Sequence, residues 1–194
     1  MALLVGIFLI LVISAIIIRT AAPKSDFIFD SSKCTITGYK GPGGEVEMPS
    51  KISGKPVLVI GCGAFKNCTS LTSIIIPEGV ESIGCWAFEE CTSLINIVMP
   101  EGMKTIGAGA LKNCISLTGV ALPESLKNIG PWAFENCQSL QSIDIPEGVK
   151  RIEAGVFKNC TSLTNITLSD SVKNIEPWAF ENCTSLIGIN IPEV

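Results

Sequence analysis

Apolar residues return along this chain at a spacing far longer than that of any helix or strand. Ile60, Ile83, Ile106, Ile129, Ile152 and Ile175 stand 23 residues apart. An apolar pair follows each: Ala64-Phe65, Ala87-Phe88, Ala110-Leu111, Ala133-Phe134, Val156-Phe157 and Ala179-Phe180. Three residues after each pair comes a cysteine: Cys68, Cys91, Cys114, Cys137, Cys160, Cys183. A Ser-Leu step then leads into a short alternating stretch such as LTSIIIP, closed by Pro77, Pro100, Pro123, Pro146 and Pro192, with Ser169 in the fifth unit. A period of this length marks a solenoid, in which each unit buries its apolar side only against its neighbours. We number the six coils by their isoleucines, Ile60 opening coil one.

Alternation within the LTSIIIP stretch sends Leu71, Ile74 and Ile76 inward and leaves Thr72, Ser73 and Ile75 facing out. Adjacent coils then stack at roughly 4.8 Å, so equivalent residues form columns and six coils make a rod on the order of 30 Å. A longer period lies inside the first. Trp86, Trp132 and Trp178 precede the Ala of every second coil, and Gly63, Gly109 and Gly155 hold that place in the others. Lys66, Glu89, Lys112, Glu135, Lys158 and Glu181 alternate in the same way. The full unit is therefore 46 residues, with each indole expected to lie over a bare neighbouring rung and opposite charges on adjacent rungs.

The chain is 47% hydrophobic and 16% charged, with 18 glycines and 11 prolines for turns, so its 194 residues suffice for one substantial core. Net charge is −4 with scattered Lys and Arg, which gives no footprint for nucleic acid. There is no histidine. That removes the commonest general base and transition-metal ligand, and with no facing acid pair and no phosphate loop the chain reads as a non-enzyme without a cofactor or metal.

The unit IxxxAFxxCxSLxxIxIPxxVxx resembles the 23-residue leucine-rich repeat of the BspA type, over about residues 33 to 194, and the lead-in from Ile36 to Gly61 resembles that family's N-terminal cap. The resemblance implies an α/β solenoid of short parallel strands and short helical or 3₁₀ turns. It also implies a role in adhesion, protein binding or surface display, at the cell surface or outside the cell.

Nine cysteines are present. Six occupy one column beside core positions, where a thiol behaves as a small apolar side chain and where the ladder spacing suits neither a disulfide nor a four-ligand metal site. Cys62 and Cys85 make a second, two-rung column, the one pair left open for a bridge. The outward face of the strands is small, neutral and partly apolar. Its candidate contacts are Ile75, Ile95, Asn96, Val98, Gln141, Asp144, Asn165, Ile187 and Asn190, suited to protein or sugar. Trp86, Trp132 and Trp178, roughly 9.6 Å apart at two sheet spacings, form a candidate contact stripe. Asn67, Asn159, Asn165 and Asn182 head sequons that matter in a host with N-glycosylation.

The first 18 residues carry no charged side chain, and as a helix they would span about 27 Å, close to a hydrocarbon core. A cleaved signal peptide fits poorly, because no Lys or Arg precedes the apolar stretch. A simple anchor would keep the repeats in the cytoplasm, since Arg19 and Lys24 follow the stretch. An apolar start to a processed chain is similar to type IV and archaeal pilins, although Val5 stands where many bacterial pilins carry glutamate. Three segments are expected: residues 1 to 24 a single long hydrophobic helix, 25 to 59 a β cap, and 60 to 194 the solenoid. The leading expectation is a surface protein that self-assembles into a filament through Leu3, Leu4, Ile7, Phe8, Leu11 and Ile18. Its terminal coil (Phe180, Leu186, Ile189, Ile191) would be covered by a neighbouring copy. The alternative is a membrane-anchored monomer that recognises a protein or glycan.

Overall fold

A computed structural model describes residues 21–189. The chain winds as a stack of coils with three walls around one apolar core. On the first wall Val59–Ile60, Ser82–Ile83, Thr105–Ile106 and Asn128–Ile129 pair in parallel, each isoleucine opposite the next. The cap completes this sheet: Thr35–Tyr39 pairs in parallel with Val59–Ile60 and antiparallel with Phe27–Asp30. On the second wall Gly44–Glu47, Leu71–Ile75 and Asn96–Val98 form one sheet, and Ser142–Ile145 with Asn165–Leu168 another. Coil three, whose stretch is the glycine-containing LTGVALP, forms no strand here and joins the second wall by the bridge Gly119 to Ser142 and by the backbone bonds of Thr118 to Ile95 and of Gln141 to Thr118. Residues with branched or apolar side chains point alternately inward, as the pattern requires: Leu71, Ile74 and Ile76 are buried while Thr72, Ser73 and Ile75 are half-exposed.

The third wall corrects the expected α/β class. Among the described residues there is no α-helix, and the one helical element is a 3₁₀ turn at Lys24–Asp26, so the fold is a β-solenoid of about six turns. The reason is local. Two positions in each coil adopt left-handed backbone, at Gly63 (φ 65°) and Asn67 (φ 62°) in coil one and at their equivalents in every later coil. Left-handed residues four apart leave too short a run for a helical turn. The amides are shared out instead. Ala64, Lys66 and Cys68 donate within the coil to Gly61, Gly63 and Phe65, whereas Gly63, Phe65 and Asn67 donate across to Cys85, Ala87 and Glu89 of the next coil. This alternation repeats through the later coils, so the wall is a hydrogen-bonded ladder made of turns.

A long hydrophobic helix ahead of the cap is not supported either. Its expected end falls on the Lys24–Asp26 turn, and Ala22 already donates its amide to Glu47 in the second wall, as an edge rung would. No helix among the described residues is long and apolar enough to cross a membrane. Residues 1 to 20, with Leu3, Leu4, Ile7, Phe8, Leu11 and Ile18, lie outside the described residues, as do Asn190 and Ile191. The pilin-like resemblance and the filament core that rested on it therefore have no described element to carry them.

The core is the sum of the columns. Phe65 stacks on Phe88 at 4.9 Å between centroids, and Phe134, Phe157 and Phe180 stack at 5.6 Å steps, with Leu111 interrupting the row. Tyr39 and Phe27 of the cap extend it, Tyr39 lying 5.0 Å from Phe65. Each such pair adds about 0.5–1.5 kcal/mol to plain burial.

One joint departs from the stack. Across every other boundary of the first wall the amide of the residue after the isoleucine bonds back to the preceding coil, as Gly84 to Ile60, Gly107 to Ile83, Gly130 to Ile106 and Glu176 to Ile152. Between coils four and five these bonds are absent, and the amides of Lys150, Arg151 and Glu153 make no backbone hydrogen bond among the described residues. The cause is legible in one column. Gly84, Gly107 and Gly130 sit so close to the preceding coil that an added Cβ would lie 2.5–2.6 Å from a backbone nitrogen. Coil five carries Glu153 at that place. Its side chain cannot enter the space, so this wall parts. Coil six keeps its rung with Glu176 because it stacks on a coil already displaced.

Hydrogen exchange should read this directly. The amides of Lys150, Arg151 and Glu153 should exchange at least about tenfold faster than those of Lys127, Asn128 and Gly130, a difference of about 1.4 kcal/mol in opening. Glu153→Gly should slow them to match. Equal protection in the unmodified protein would show that the ladder is continuous.

Candidate functional site

The turn wall carries the most unusual backbone of the molecule. The position held by Gly63, Gly109 and Gly155 is left-handed (φ 59° to 65°), and the three tryptophans occupy the same conformation at φ 54° to 61°. Glycine adopts it freely, whereas a residue with a Cβ is penalised by about 1–2 kcal/mol. The indoles are only about half-buried in exchange: Trp86, Trp132 and Trp178 remain 49%, 43% and 62% exposed.

Their placement is nonetheless specific. A Cβ built on Gly109 would meet Cδ1 of Trp86 at 2.6 Å, and one on Gly155 would meet Cδ1 of Trp132 at 2.5 Å. Each of these indoles therefore lays its pyrrole edge over the bare glycine of the next coil, and Gly109 and Gly155 are buried beneath them. Trp178 is the most exposed of the three. The charged column fills the alternate joints: Lys66 pairs with Glu89 at 2.7 Å, Lys112 with Glu135 at 2.8 Å and Lys158 with Glu181 at 2.8 Å. Indole laps span coils two to three and four to five, and ion pairs span one to two, three to four and five to six. Each exposed pair is worth about 0–1 kcal/mol, so its contribution is chiefly to register.

A further ladder runs beside the stripe, which the sequence reading did not pick out as one. Asn113 donates its side-chain amide to Glu90, Asn136 to Asn113, Asn159 to Asn136 and Asn182 to Asn159, at 2.6–2.8 Å. The signal was present: asparagine recurs before the cysteine of five coils, at a left-handed position that favours it. The ladder also divides the sequons. Asn159 and Asn182 commit their amide nitrogens to the neighbouring rung, whereas Asn67 and Asn165 are exposed with no side-chain hydrogen bond among the described residues.

The cysteine column lies beneath this wall. Cys91, Cys114, Cys137 and Cys160 are buried, and Cys68 and Cys183 at its ends are half-buried. The thiols are not merely apolar filler: Cys91 donates to the carbonyl of Phe65 at 3.1 Å, Cys114 to Phe88, Cys137 to Leu111, Cys160 to Phe134 and Cys183 to Phe157. Burial pushes the Cys114 thiol up to about 12 and also raises Cys137 and Cys160. Cys68 is shifted downward, chiefly by the neighbouring Cys91 side chain. All nine cysteines are free, including Cys62 and Cys85.

The strand face holds the other expected contacts. Ile95, Asn96, Val98, Gln141, Asp144, Asn165 and Ile187 are exposed, Ile187 almost completely, and Ile75 is half-exposed. They share one wall and do not converge on a pocket. No cluster of three or more metal-ligating side chains occurs among the described residues.

Two measurements follow from this wall. Gly155→Ala should destabilise the protein by about 2 kcal/mol with Trp132 present, from backbone strain plus crowding of the indole, and by only about 1 kcal/mol in a Trp132→Ala background. A coupling of zero in urea unfolding would mean that the indole does not cover Gly155. In thiol titration of the folded chain Cys62 should react readily, while Cys91, Cys114, Cys137 and Cys160 react only after denaturation, because attack needs the thiolate. Fast modification of those four would contradict the ladder.

The chain matches the family model described as the BspA type leucine-rich repeat region, in six copies, over residues 58–193. It is similar to a leucine-rich repeat protein of T. pallidum at 30% identity, covering 86% of this chain and 91% of that one, with a TM-score of 0.69. It is also similar to a leucine-rich repeat protein of Bacteroides ovatus at 34% identity (86% of this chain, 45% of that one, TM-score 0.77). A leucine-rich cell surface protein of Faecalibacterium prausnitzii is similar at 31% identity (88% and 54%, TM-score 0.73). The chain thus spans about half the length of the last two. No curated protein matches. With its columns, turn wall and six repeats accounted for, the chain belongs to the BspA-type leucine-rich repeat family.

Proposed function

We propose that the protein is a surface-displayed, non-enzymatic recognition scaffold that holds an extended, neutral glycan along the tryptophan stripe. The family is generally a binding scaffold, and the similar Faecalibacterium prausnitzii protein is described as a cell surface protein. The observation that carries the reading is the backbone of Trp86, Trp132 and Trp178. Three large aromatics are kept at left-handed positions that glycine fills without strain in the alternate coils, yet each leaves about half its surface in solvent. Local strain held at three positions while about half of each ring stays in solvent supports a use for the exposed face. Rings about two sheet spacings apart on one straight wall suit a ligand that is itself extended and repeating, and indole faces bind the apolar faces of sugar rings well. Self-assembly is not part of this reading.

Affinity electrophoresis of the full chain through gels containing a soluble neutral β-glucan tests it. The chain should be retarded, and the Trp86→Ala/Trp132→Ala/Trp178→Ala variant should lose the retardation with its unfolding midpoint little changed. Loss of a fully buried large aromatic would instead remove about 3–5 kcal/mol for each ring. A variant retarded as strongly as the parent sinks the proposal, and so does a parent that migrates freely while binding protein ligands.

A further inference from the structure

We infer that the parted joint between coils four and five is a binding site for a tetrahedral oxyanion, a phosphate or a sulfate group. The cleft there measures about 510 Å³ and is lined by Lys127 to Pro131 on one side and by Gly148, Lys150, Arg151 and Glu153 on the other. Its two ends are fixed. At one, Gly148 packs so closely that an added Cβ would collide with the carbonyl of Leu126. At the other, Trp132 donates to Ala154 at 3.0 Å and Phe134 to Val156 at 2.9 Å. The second wall is also closed across this boundary, by the pairing of Ser142–Ile145 with Asn165–Leu168. The opening is thus a rigid wedge in one wall, not a general loosening.

What lines the wedge selects its ligand. The amides of Lys150 and Glu153 lack the carbonyl partners that their equivalents have in the other coils, and between them the amide of Arg151 makes no backbone hydrogen bond among the described residues. Two ammonium groups stand on facing rungs, Lys127 and Lys150, and neither has an ion-pair partner among the described residues, whereas Lys104 in the same column pairs with Glu81 at 2.8 Å. Arg151 adds a guanidinium that it shares with Glu176 at 3.0 Å. Stacked like charges on neighbouring strands repel, and an anion between them would relieve the repulsion while taking up unpaired N–H groups. The opposing group is Glu153, whose carboxylate also lines the cleft. It holds the wedge open by its bulk and lowers its affinity by its charge. The inference is independent of what the tryptophan stripe binds.

Those two effects of Glu153 can be separated. Amide shifts of the full chain are followed while sodium sulfate or sodium phosphate is added against sodium chloride at matched ionic strength. Saturable shifts at Lys150, Arg151 and Glu153 are expected with the oxyanions alone. Lys127→Gln and Lys150→Gln should each weaken binding about tenfold, the size of one charged hydrogen bond. Lys173→Gln, in the same column on an intact rung, should not. Glu153→Gln keeps the wedge and should tighten binding. Glu153→Gly removes the same charge but lets the ladder close, and should abolish it. A sulfated disaccharide that binds more tightly than free sulfate would identify a glycan as the source of the group, and equal affinity a free ion. Shifts no larger than with chloride overturn the site. So does binding by Glu153→Gly equal to that by Glu153→Gln, or a loss with Lys173→Gln equal to that with Lys150→Gln.

Discussion

No coil of this protein has an interior of its own. Each inner coil contributes an isoleucine, an aromatic or leucine, a cysteine and two or three strand residues to the core, and these become buried only when another coil lies within a sheet spacing on either side; in the last coil Ile175 is exposed. Everything therefore depends on the hydrogen bonds that hold one rung against the next. On two walls these are ordinary parallel pairings, and on the third they come from a turn whose alternate amides point along the rod axis. That third ladder needs two left-handed residues per coil, and this need fixes which residue types can stand there. Glycine and asparagine satisfy it at little cost. Tryptophan and Glu90 do not, so their presence asks for another explanation.

The double period answers part of that question. A rod of identical rungs has no intrinsic register, since any coil could stack on any other. Alternating Trp over Gly with Lys against Glu gives successive joints two different complementary surfaces. A coil displaced by one repeat would set tryptophan on tryptophan, or lysine on lysine. Neither contact stabilises much by itself, and their value lies in the mismatch they impose on a slipped stack. Register thus accounts for why the indoles face glycine. It does not account for why they are indoles, because a smaller apolar residue would discriminate as well, and the exposed surface is left over for recognition.

Much of this was legible in the sequence. The six-fold period, the inward isoleucines, the cysteine column and the glycine beneath each tryptophan are all spacings, and spacing survives translation into columns. The helical turns implied by the family resemblance were not realised, because backbone handedness at Gly63 and Asn67 is set by conformation that an apolar pattern does not encode. Of the asparagine ladder only Asn159 and Asn182 stood out, as sequons, while Asn113 and Asn136 drew no notice. The parted wall was hidden for a different reason. It needs two facts together: that Gly84, Gly107 and Gly130 are required by close approach, and that Glu153 breaks their column. The first is a distance, which a sequence does not contain.

The parted wall also shows why a solenoid can carry a lesion that a compact domain could not. Lost rungs in an ordinary sheet would unseat a strand that is held by two neighbours alone. Here coil five remains fixed to coil four by the second wall and by the turn ladder, both unbroken, and its core residues Ile152, Phe157 and Leu163 stay fully buried. The stability lost is confined to a few solvated amides, whose alternative is water and not an apolar interior, so the penalty is far below that of an orphaned buried group. A repeating wall can thus open at one joint without surrendering its neighbours. The opened joint is also where backbone donors and unpaired cations become available together. In a stack built from near-identical coils, the site with its own chemistry arises where the repetition fails.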